Sequence, residues 1–145
     1  MCETTVGTKH LVEVGIGRTV NLPFDAALQK IEQALQKEGF GVLTRIDVQE
    51  TLKKKLGVER APFVILGACN PQLAHRALGL EPQIGLLLPC NVVVREVAPG
   101  KTRVEAINPD TMMELFPEVD LESIAHEARE RLARAIDSFE TSIPS

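Results

Sequence analysis

Two short stretches carry the residue types most able to do chemistry. They are Gly67-Ala68-Cys69-Asn70-Pro71 and Leu86-Leu87-Leu88-Pro89-Cys90-Asn91. Cys69 closes the apolar run Pro62–Ala68 and is followed by Asn70 and Pro71, a helix-capping residue and a residue suited to the first helical position. A thiol at such a strand-to-helix junction lies near free backbone N–H groups and the positive end of a helix dipole. Both favour thiolate, the nucleophilic and metal-binding form of cysteine. Cys90 opens a β-branched segment behind Pro89, and if the two strands are neighbours the two thiols converge. Cys69 is therefore the candidate catalytic residue, and Cys69, Asn70, Pro71 and Cys90 form the candidate ligand-binding set. The plainer reading is that both cysteines are small buried packing groups, since cysteine is among the most buried residue types.

Other constellations are weaker. A structural metal site needs three or four ligands in workable geometry. His75 follows Cys69 by six residues, a poor angular match on one helix face, while His10 and His126 stand alone. No metal site is expected. The chain has no G-x-S-x-G, P-loop or H-E-x-x-H motif. Gly15-Ile16-Gly17-Arg18 lacks the third glycine of a dinucleotide loop, and the following helix starts at Pro23, so it reads as a strand end. Arg18, Arg45, Arg95 and Arg103 would form an anion site only if they met on one sheet face. Pairing of Arg95 or Arg103 with Glu96 or Glu105 is the simpler expectation. Lys53-Lys54-Lys55 point in three directions around a helix and read as a solvated face.

Composition narrows the possible partners. The 145 residues are 44% hydrophobic, which suits one domain with one core. Five Phe with no Trp or Tyr leave the packing to aliphatic side chains and serve base stacking poorly. Twenty acidic and 16 basic residues, interspersed to a net charge of -4, give no basic stripe, so no nucleic-acid binding is expected. No apolar run is long enough to span a membrane, and the opening residues carry no secretory pattern. Three cysteines, an odd number without repeated spacing, fit reduced thiols in the cytoplasm better than a disulfide framework.

The elements that must position the thiols follow from periodicity. Residues 9–17 alternate as a strand with Val12, Val14 and Ile16 on its apolar face. Phe24, Leu28, Ile31 and Leu35 recur at helical spacing between Pro23 and Gly39. A strand at 40–46 leads through Asp47 and Glu50, nearly a capping box, into a short helix at 48–56 stopped by Gly57. After the strand at 62–68, Leu73, Ala74, Ala77 and Leu78 form a short helix closed by Gly79. The apolar run 84–90 is open to either a strand or an extended segment. Residues 91–97 and 102–107 pair as a hairpin around Pro99-Gly100. Asn108-Pro109-Asp110 opens a short helix through Leu115. Asp120 caps a last helix striped by Leu121, Ile124, Ala125, Ala128, Leu132, Ala135, Ile136 and Phe139, with Glu127–Arg131 and Glu130–Arg134 as i,i+4 pairs. A hairpin and a terminal helix without regular βαβ alternation predict an α+β domain over residues 9–140, flanked by a disordered tail at 1–8 and a tail at 141–145.

The cysteine motifs, Gly67-Ala68-Cys69-Asn70-Pro71 and Leu88-Pro89-Cys90, resemble those of the domain of unknown function 302 family, and the similarity runs from about Lys9 to Phe139. The resemblance implies a curved, mostly antiparallel sheet with helices on one face, similar in topology to the TATA-binding-protein fold. It implies no cofactor and no agreed activity. Helices on one face leave the other uncovered, and a homodimer is the expected solution. Three functions stay open: a module binding a small molecule or sulfur species at the cysteine turns, a thiol-dependent enzyme or sulfur carrier using Cys69, and a structural partner protein with inert thiols.

Overall fold

The computed structural model describes residues 13–139. The tails expected at 1–8 and 141–145, together with Cys2 and His10, lie outside those residues. Five strands form one sheet: β1 (Gly15–Val20), β2 (Gly41–Asp47), β3 (Phe63–Cys69), β4 (Cys90–Ala98) and β5 (Lys101–Ile107). Their spatial order is β1-β5-β4-β3-β2, with every neighbouring pair antiparallel. The α+β prediction holds, and the sheet is antiparallel throughout.

Two long helices, α1 (Phe24–Lys37) and α5 (Glu122–Asp137), cover one face. Val64, Leu66, Val92, Val94, Val104 and Ala106 project from that face into a cluster with Ile31 and Leu35 of α1 and Leu132 and Ile136 of α5. Ordinary sequence features end the helices. Gly39, at φ 85, turns the chain out of α1, and Asp47 accepts a hydrogen bond from the Glu50 amide at the start of α2 (Val48–Leu56). The opposite face carries a row of directly paired residues, Ile46, Ile65, Val93, Glu105 and Gly17, none of which is buried.

A second, smaller cluster lies off the end of the sheet where β3 finishes and β4 begins. Leu73 and Ala77 of α3 (Pro71–Leu80), Met112 of α4 (Thr111–Leu115), and Ile124 and Ala128 of α5 pack there around Ile84. Ile84 belongs to a 3-10 helical segment, Pro82–Leu87, which occupies the run left open between strand and extended chain.

Four sequence expectations are corrected. Residues 9–12 of the expected first strand lie outside the described residues, and of those described the strand holds from Gly15, not from residues 13 and 14. The ladder with β5 runs out at Gly15–Ile107, and Val14, beyond it, is 58% exposed instead of facing the core. Gly79 lies inside α3, which ends because Glu81 precedes Pro82 and is held extended. Asp120 does not cap α5, which begins at Glu122, with Leu121 in the N-cap position making no side-chain cap bond. Arg134 pairs with Glu38 across the structure at 3.0 Å and not with Glu130, whereas Glu127–Arg131 forms as expected.

Candidate functional site

The antiparallel register between β3 and β4 sets Cys90 opposite Ala68, one residue before Cys69. The two cysteines therefore occupy adjoining strand ends, and both are half-buried. They line one small cavity of about 30 Å³, walled otherwise by apolar groups from both clusters, including Phe40, Leu73, Leu88, Met112 and Ala128.

Local sequence explains this placement. Asn70 caps α3: its side-chain oxygen accepts a hydrogen bond from the Leu73 amide at 3.1 Å, and its carbonyl accepts one from Ala74 at 2.9 Å. Cys69, the last residue of β3, is thereby held immediately before the N-cap of α3. Pro71 is exposed at the first helical position and is not among the residues lining the cavity. Of the four expected site residues, the structure brings Cys69, Asn70 and Cys90 together and leaves Pro71 outside.

Cys90 is fixed from the other side by Pro89, which follows a cis peptide bond from Leu88. Pro89 lies against Gly67, where a Cβ would collide with the Thr44 hydroxyl and stand 2.8 Å from the Pro89 ring. Glycine at 67 is thus a steric requirement for β3 to pass under the proline that sets Cys90. Burial pushes the Cys90 thiol up to about 11, and the charge of a Cys69 thiolate beside it pushes in the same direction. At neutral pH Cys90 is therefore held as the neutral thiol.

Cys90, Leu88 and Met112 also border a larger cleft of about 260 Å³, which Leu86, Asn91, Ile107 and Thr111 help to line. Cys69 does not line this cleft, so only Cys90 of the two cysteines borders both spaces. A wider, shallower concavity of about 570 Å³ runs along α4 and α5 between charged groups. There Asp110 is neutralised by Arg129 at 3.1 Å, and no thiol reaches it.

Sequence reasoning missed Met112. The signal was present in the hairpin: antiparallel pairing of β4 with β5 returns the chain after Ile107 to the level where β4 starts, so the helix behind Asn108-Pro109 must flank Cys90. His75 and His126 are exposed on α3 and α5. Among the described residues, no group of three or more His, Cys, Asp or Glu side chains could hold a metal ion. The four arginines do not gather. Arg18 pairs with Asp137 and Arg45 with Glu32 on the helix-covered side, while Arg103 pairs with Glu105 and stands directly opposite Arg95.

The family model for Domain of unknown function DUF302 matches residues 16–139, which include every strand but its first residue and both cysteine motifs. The chain belongs to the DUF302 family. Its fold is also that of a crystal structure of an uncharacterized conserved DUF302 protein from Bacillus stearothermophilus. That structure is 32% identical, with a TM-score of 0.79, over 87% of this chain and 98% of the other. No curated protein matches. The DUF302 assignment fits the resemblance carried by the two motifs, and it brings no activity with it.

Proposed function

We propose that this DUF302 protein is a binding module for a small molecule or a sulfur species, held at the thiol-lined cavity and the cleft in front of it. One observation carries the reading: two cysteines distant in sequence come to the same apolar cavity, and one of them also borders a cleft of about 260 Å³. No acid or base stands beside the thiols, since Asn70 is engaged in capping α3 and the rest of the cavity wall is aliphatic or aromatic apart from the Met112 thioether. Binding is therefore favoured over catalysis. Native mass spectrometry of the purified protein tests this. A copurified ligand, or a persulfide mapped to Cys69 or Cys90, is expected, and the Cys69→Ser, Cys90→Ser double variant loses it. Native protein carrying neither overturns the reading.

A second reading, a thiol-dependent enzyme or sulfur carrier, is favoured by the contrast between the cysteines. Cys69 lies beside the α3 N-terminus, while Cys90 is held as a neutral thiol. Timed alkylation read by peptide mass spectrometry decides it, with Cys2 as a reference thiol. Cys69 labelling more slowly than Cys2 at every pH removes Cys69 as a nucleophile.

The reduced thiols suit a reducing, cytoplasmic compartment, and among the described residues no helix is long and apolar enough to cross a membrane. The module further pairs as a homodimer over the uncovered sheet face, where Ile46, Ile65 and Val93 stand side by side. Sedimentation at tens of micromolar is expected to show two chains, and a lone monomer there counts against the pairing.

A further inference from the structure

We propose that the cavity at the ends of β3 and β4 binds one soft monovalent metal ion, of which Cu(I) is the type, through the thiolates of Cys69 and Cys90 and the thioether of Met112. The inference shares the converging thiols with the binding-module reading and names a different occupant, an ion in the cavity itself.

Three sulfur-bearing residues from three separate elements, Cys69 at the end of β3, Cys90 at the start of β4 and Met112 of α4, line a space of about 30 Å³. That volume is far below the roughly 300–1,000 Å³ of an ordinary organic-ligand pocket, so within the cavity itself a single ion is favoured over an organic occupant. The remaining wall is almost wholly carbon. Soft sulfur donors without nitrogen or oxygen select Cu(I). Zinc instead takes three or four thiolate, imidazole or carboxylate ligands, and no such set exists among the described residues. Methionine in a core is usually a flexible gap filler. Met112, however, is buried at the seam of the two apolar clusters with its side chain on the cavity shared by both thiols.

The charges balance as follows. Two neutral thiols release two protons to solvent, each sulfur keeps its electron pair and donates it to the ion, and the thioether donates a lone pair without losing a proton. The product is an anion of net charge -1. It would lie beside the N-terminus of the ten-residue α3, whose dipole favours negative charge. The dry surroundings that make a bare thiolate costly at Cys90 favour a thiolate neutralised by a bound cation.

The test is an anaerobic titration of the reduced full chain, carrying Cys2→Ser, with Cu(I) in competition with a chromogenic chelator, followed by X-ray absorption at the copper edge. One equivalent per chain and three sulfur scatterers are expected. Met112→Leu, which preserves volume, should weaken binding about tenfold, and Cys69→Ser or Cys90→Ser about a hundredfold or more. If the serine variants fail to fold, Met112→Leu and the sulfur count still decide the matter. No Cu(I) uptake, unchanged affinity in Met112→Leu with only two sulfurs, or binding that survives loss of both cysteines overturns the proposal. A protein that copurifies with a ligand or persulfide yet takes up no Cu(I) sinks this inference and leaves the binding-module reading standing. Three-sulfur copper binding in a protein that copurifies with neither does the reverse.

Discussion

The two apolar clusters are built on different plans. The larger is anchored by three central strands whose inward side chains are Val, Leu and Ala, pressed between α1 and α5. Hydrogen-bonded strands fix those positions, so its side chains have little freedom to rearrange. The smaller has no strand of its own. It gathers around Ile84 from a 3-10 segment, a ten-residue helix, a five-residue helix and the first half of α5, with partly buried Leu87, Leu88, Met113, Phe116 and Val119 at its margin. The thiol cavity lies at the seam, with Phe40 and Ala68 from the first cluster and Leu73, Met112 and Ala128 from the second. A rigid frame holds one cysteine-bearing wall, and a looser assembly closes over it. Sites that must admit a ligand are drawn from the less stable parts of a fold.

The comparison breaks most directly in paired truncations. Leu35 and Ile84 are both fully buried. Leu35→Ala, in the frame, should destabilise by about 2–5 kcal/mol and lower the whole unfolding transition. Ile84→Ala should fall near the low end of that range, because its surroundings can collapse, and should speed alkylation of Cys90 several-fold under native conditions. Denaturant melts with parallel thiol labelling read both effects. Equal losses with unchanged Cys90 labelling would show one rigid body in place of two.

A smaller effect sharpens the contrast through pH. The Cys90 thiol is held up to about 11, above its ordinary value of 9.0, so the folded protein retains a proton that the unfolded chain gives up. Stability is therefore undiminished below about pH 9 and falls as pH rises from 9 towards 11, by about 2–3 kcal/mol at most for this group. Urea melts across that range should show the slope, and Cys90→Ala should flatten it. A slope unchanged in the variant would assign it to other groups.

The smallest effect concerns the hinge between strand and site. Asn70→Ala removes the bond to the Leu73 amide and should destabilise by about 1 kcal/mol, with a larger proportional change in Cys69 labelling. Asn70→Asp keeps the cap and should restore most of the stability. If neither variant alters Cys69 labelling, the cap does not position that thiol.

The fold was legible where one local signal governed it. Pro23 with Gly39 and Asp47 with Gly57 bracket helices close to their true limits, Asn70 with Pro71 marks the start of α3, and the hairpin around Pro99-Gly100 is where β-branched patterning put it. The failures came where distant partners decide. Val14 alternates correctly, yet β5 ends before reaching it. Arg134 had a suitable carboxylate four residues away and found Glu38 from α1's C-terminus instead. The site was half legible. Cys69 and Cys90 stood out by type and by flanking residues, while their adjacency depended on β3 pairing with β4 across an intervening helix. Met112 carried no mark of its own, since a methionine after a turn looks like any other core residue.

The sheet's outer strand β2 has one further consequence. Among the described residues its outer edge is unpaired, all seven of its residues are exposed, and it carries a bulge between Val42 and Thr44. An unprotected edge invites another chain to extend the ladder into an open-ended filament, and a bulge spoils the straight run of amides and carbonyls that such growth requires. Strand-by-strand growth from this edge is thereby disfavoured, so a concentrated solution should remain clear instead of growing fibres from β2.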